Sequence, residues 1–84
     1  MTRAVIELSG DLSSLMPRMS RLIEGSAYSP ETNLMGFNYK GMGVIVEPER
    51  ITINNAEDEA TARTVMRWLL KRVNNQPGNQ RGRR

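Results

Sequence analysis

The chain has 84 residues, 38% hydrophobic and 25% charged, with no cysteine and no histidine. That length suits one small domain, and the composition excludes disulfides, thiolate nucleophiles, Cys/His zinc sites and histidine general bases. The formal charge is +3, but residues 1–73 balance nine basic against nine acidic side chains, so the surplus is Arg81, Arg83 and Arg84. The high pI describes a tail and not a basic domain, which weakens the inference from basicity to nucleic-acid binding.

Residues 2–8 alternate, with Ala4, Ile6 and Leu8 on one face and Arg3, Val5 and Glu7 on the other. That is the pattern of a half-buried strand. Ser9, Gly10 and Asp11 end it. Leu12, Leu15, Met16, Met19, Leu22 and Ile23 then recur at helical spacing. Pro17 lies inside this pattern, and proline is tolerated only in a first turn. The spacing therefore predicts a helix from Ser14 that ends before Gly25, a suitable C′ glycine. Residues 26–33 contain Pro30 and read as a loop.

Residues 34–40 read as a strand, and Gly41 and Gly43 around Met42 as a tight turn. Residues 44–47 form the next strand, Pro48 and Glu49 a second turn, and residues 50–53 a last strand. Ile51 and Ile53 point inward there, Thr52 and Asn54 outward. Asn55 is placed to cap a second helix with Glu57, Asp58 and Glu59 in its first turn and Lys71 and Arg72 in its last. Its apolar stripe is Ala62, Val65, Met66, Leu69, Leu70 and Val73. Residues 74–84 hold no apolar side chain and are expected to be a disordered basic tail.

The order is β-α-β-β-β-α, which places residues 1–73 in one α+β domain. Both helices have one apolar face to bury, so a two-layer sandwich follows: an antiparallel sheet with both helices on one side. The other side of a four-stranded sheet is then open to a partner.

Tyr28-Ser29-Pro30-Glu31 is similar to the Tyr-x-Pro loop of the TATA-box-binding protein family. The ungapped run from Gly43 through Pro48, Arg50 and Asn55 to Asp58 resembles that family's strand–turn–strand segment. With the second helix, the resemblance spans residues 3–73 and implies the fold of a single repeat of that family. It does not extend to the wedges that kink DNA in the minor groove, because Asn33 and Val46 stand at those positions. It also implies an open face carrying Asn33, Met35 and Phe37, which agrees with plain alternation only if a bulge intervenes, for which Gly36 is suited. Plain alternation turns Met35, Phe37 and Tyr39 toward the helices and Asn38 and Lys40 outward. Alternation is the better reading, since burying Asn38 and Lys40 without partners is costly.

Trp68 stands off the apolar stripe of the second helix, near Lys71 and one turn from Arg72. It is either an aromatic anchor for a partner, with a cation–π contact from Arg72, or a packing residue. Val44, Val46, Thr52 and Asn54 complete the candidate partner-binding set on the sheet. Arg63, Arg67 and Lys71 recur every fourth residue and, with Arg81, Arg83 and Arg84, make an alternative nucleic-acid set; Glu59, one turn before Arg63, can instead balance the helix face. The Glu57 to Glu59 cluster is explained by helix capping.

No nucleophile–base pair is visible, so a non-enzymatic adaptor or regulatory protein is expected, with no cofactor, metal or small-molecule ligand. It would bind a protein partner, or itself as a homodimer, through the open sheet face. Nucleic-acid binding by the sheet of a dimer, or by the tail and second helix, is the alternative. No apolar run approaches the ~18–20 residues of a membrane span. No signal peptide is expected either, which points to the cytoplasm.

Overall fold

Alternation along the strands decides which side of this molecule is covered. A computed structural model describes residues 2–74. The elements are β1 (Thr2–Glu7), α1 (Met16–Leu22) behind a 3-10 turn (Ser13–Leu15), β2 (Ala27–Ser29), β3 (Leu34–Tyr39), β4 (Met42–Val46), β5 (Arg50–Ala56) and α2 (Glu59–Asn74). The class is α+β, and the strands form one antiparallel sheet of five in the order β1-β5-β4-β3-β2.

Two cross-strand rows make the covered face. Ala4, Ile53, Val44 and Phe37 lie side by side, as do Ile6, Ile51, Val46 and Met35. Onto these rows pack Met16 and Met19 of α1 and Ala62, Val65, Leu69 and Val73 of α2, in one continuous core. Both helices therefore lie on one side of the sheet. Apolar residues three and four apart on α2 give it a single face to bury.

The fifth strand is β2, which lies inside the stretch expected to be a loop. Ala27, Tyr28 and Ser29 pair with Gly36, Met35 and Leu34. The connection is tight: the Asn33 amide donates to the Ser29 carbonyl at 2.8 Å, with Asn33 at φ 58°. Three residues are too few to show a period, and Pro30 masks them.

Turn chemistry corrects two further expectations. The β3–β4 hairpin turns on Lys40 and Gly41, at φ 51° and 83°, rather than around Met42. Positive φ at both central residues of a two-residue loop is the geometry whose twist matches paired strands. Met42 is thus a strand residue and is buried. Asn55 does not cap α2. It sits within β5 at φ 68°, and its side-chain amide donates to the Gly41 carbonyl at 3.1 Å. The register with β1 shifts there, between Thr2 and Ala4, so β5 bulges at Asn54 and Asn55. The cap is Asp58, whose Oδ1 accepts the Thr61 amide at 2.8 Å. That hydrogen bond holds the Asp58 carboxyl below its ordinary range.

Candidate functional site

The uncovered side of the sheet is built from the residues that alternate with the core rows. Val5, Thr52, Ile45, Gly36 and Ala27 are mutual neighbours across all the strands. Val5 is 49% exposed, Ile45 40% and Leu34 37%. No described element covers them. Ala27, Leu34, Gly36 and Ile45 line a shallow, largely apolar hollow of about 290 Å³ at the β2–β3–β4 end. Gly36 keeps that hollow open, since any side chain there would stand between Ile45 and Ala27.

The face changes character along the strands. At one end Arg50 donates from Nε to Glu7 (3.3 Å) and from Nη1 to Glu47 (3.4 Å). The charge of Glu7, with lesser help from Glu47, pushes the Arg50 pKa above its ordinary value. Arg50 and Glu7 are exposed and Glu47 is half-buried, and such surface pairs contribute little to stability. They do set a polar, charge-balanced margin beside the apolar row. At the other end Asn54, Gly43 and Asn38 are neutral, with the exposed Arg3 of β1 beside Asn54.

Two residues expected on this face are elsewhere. Val44 is 1% exposed and Val46 0%, both beneath the helices. Directly opposed residues of an antiparallel ladder share a face, so inward Phe37 and Ile53 carry Val44 inward, and inward Met35 and Ile51 carry Val46. Thr52 and Asn54 do lie on the open face. Thr52 is only 6% exposed, being flanked by Val5 and Ile45. Alternation also holds in β3: Met35 and Phe37 are buried, Asn38 is exposed, and the β3–β4 ladder runs through Gly36 without a bulge. The orientation implied by the family resemblance is not the one adopted.

Trp68 packs. Its ring stacks on Tyr39 with centroids 4.4 Å apart and planes 24° apart, and meets Phe37 at 6.4 Å and 55°. It is half-buried at the flank of α2 and ties that helix to the end of β3. Arg72 does not cover it. The Arg72 guanidinium reaches instead toward the Leu22 carbonyl at the end of α1, at 3.5 Å. The cation near this aromatic group is Lys40, 5.4 Å from the centre of the Tyr39 ring. Lys71 is exposed on α2, away from the open face.

Arg63, Arg67 and Lys71 are exposed along one flank of α2. Arg63 is held by Glu59 at 3.0 Å. Arg67 reaches Thr64 at 3.4 Å. This basic stripe lies on the helical side of the molecule and is not continuous with the open sheet face. Arg81, Arg83 and Arg84 lie outside the described residues.

Among the described residues Val5, Ile45 and Leu34 are the large exposed apolar side chains of the face, and reasoning from sequence singled out none of them. Val5 was legible, since alternation sets it with Arg3 and Glu7. Ile45 was not, because Val44, Ile45 and Val46 are an unbroken apolar run. Among the described residues no cluster of three or more acidic side chains could hold a metal ion. No helix there is long and apolar enough to cross a membrane. Comparison with known proteins found no matching family, no matching curated protein and no matching solved structure.

Proposed function

We propose that this protein is a small, non-enzymatic binding module that engages a protein partner, or a second copy, through the open sheet face. One observation carries the reading: a row from exposed Val5 across buried Thr52 to exposed Ile45 and the hollow at Leu34, on a side no described helix covers. Exposed apolar patches rimmed by polar groups mark interfaces more often than accident. The single-repeat resemblance to the TATA-box-binding protein family agrees with a sheet used for recognition. On this face Arg3 and Arg50 balance Glu7 and Glu47, so it offers phosphate no net attraction and suits protein better than nucleic acid. The test is photo-crosslinking in cells from a reactive amino acid at position 45, with position 67 on α2 as control. The expected result is a discrete protein adduct from position 45 that an added Leu34→Glu change abolishes. RNA or DNA adducts from position 67, with none from position 45, contradict the reading.

A second reading has its own observation. Arg67 and Lys71 are exposed and have no acidic partner among the described residues. With the tail they favour a nonspecific electrostatic contact to nucleic acid. Such binding falls steeply as salt rises, whereas apolar association through the sheet does not.

A further inference from the structure

The two edges of the sheet are not alike. The β2 edge has three residues and runs straight into Pro30, features that blunt an edge. The β1 edge has six residues, Thr2–Glu7, without proline or lysine, and among the described residues β5 is the only strand paired with it. Its bulge lies on the β5 side, so β1 itself stays straight. The Leu8 amide donates to the Glu49 carbonyl at 2.9 Å, so that amide points toward β5. Antiparallel strands alternate their hydrogen-bonding groups residue by residue. Ala4 and Ile6 therefore bond β5, while the amides and carbonyls of Arg3, Val5 and Glu7 point away from the sheet.

We propose that this edge pairs antiparallel with β1 of a second copy, about a two-fold axis at Val5, merging the two sheets into one. A two-fold axis requires the same patch on both copies to complement itself, and residues 3–7 do so in three ways. Val5 meets Val5 as a hydrogen-bonded pair, using the groups that point outward. Arg3 of each copy meets Glu7 of the other on the open face, an opposite-charge cross-strand pair. Ala4 meets Ile6 on the helix side, continuing the core rows. Arg3 has no ion pair among the described residues, and the Glu7 side chain is 67% exposed while it holds Arg50. Shifting the register by one residue would oppose the exposed Arg3 and Glu7 to buried positions, and shifting it by two would set Val5 against Arg3 or Glu7 and lose the charge pairing.

The proposal concerns the edge and goes beyond the reading of the face, so either can fail alone. The test is sedimentation equilibrium of the full chain, the variants R3E and E7R, the double variant, and an equimolar mixture of the two single variants, with circular dichroism confirming each fold. The chain is expected to be dimeric. Each single variant brings like charges together twice across the axis and should raise the dimer dissociation constant by about tenfold or more. The mixture and the double variant restore opposite charges and should recover dimer, which mere damage to the fold would not do. A chain that stays monomeric at every concentration overturns the proposal. So does a dimer indifferent to R3E, or a loss of dimer that the mixture does not rescue.

Discussion

Val44, Ile45 and Val46 are neighbours of nearly equal hydrophobicity, yet only the middle one meets solvent. Composition cannot separate them; the pairing of β4 with β3 and β5 does. Val46→Ala should therefore cost about 2 kcal/mol in urea unfolding, the removed methyl groups plus the cavity they leave. Ile45→Thr should change stability by no more than about 0.5 kcal/mol, as surface changes usually do. Trp68 was hard to place for a different reason. Helical geometry sets it off the stripe, but a large ring at the flank leans onto Tyr39 and Phe37. Trp68→Ala should cost about 2–4 kcal/mol, from lost packing and stacking. A variant that keeps full stability would return Trp68 to the role of a free anchor.

At the scale of elements, two turns and one cap decide how the strands and α2 are set. Gly41 has open space around its Cα, so only its φ of 83° resists a side chain. Gly41→Ala should cost about 1–2 kcal/mol, while Lys40→Asn should gain a few tenths (~0.3 kcal/mol) because asparagine tolerates the left-handed region. Thermal unfolding of both variants checks the sign of each. Asp58 titrates lower in the folded chain because the Thr61 amide donates to it. A depressed carboxyl stabilises above its unfolded pKa and loses that contribution as pH falls through the folded value. Stability should thus fall below about pH 4, and Asp58→Ala should flatten that part of the profile. The long α2 was legible to within a turn, since its period of apolar residues spans several turns. The brief β2 was not, because three residues beside Pro30 carry no period. The cap was misread because Asn55 and Asp58 both suit one, and only the Asn55 contact with Gly41 across the hairpin takes it out of contention.

Across the whole molecule, element order alone predicted an α+β sandwich with one side of the sheet uncovered. Two amphipathic helices and one sheet leave few other arrangements. Which side chains line the uncovered side required strand register, and register comes from turns such as Lys40 and Gly41 that the residue pattern marks poorly. The charge balance of residues 1–73 agrees with a face that is apolar along its middle and paired at its margin by Arg50 with Glu7 and Glu47. The central claim is that this face is where the protein meets its partners. The most direct test is amide chemical-shift mapping of the isotope-labelled full chain, on dilution and on titration with DNA and RNA at physiological salt. Changes at Val5, Ile45, Thr52 and their neighbours on the face, beyond those that pairing of the Arg3–Glu7 edge brings on dilution, with no response of α2 to nucleic acid, are the result predicted. Shifts centred on Arg63, Arg67 and Lys71 with nucleic acid, and a silent sheet, would contradict it.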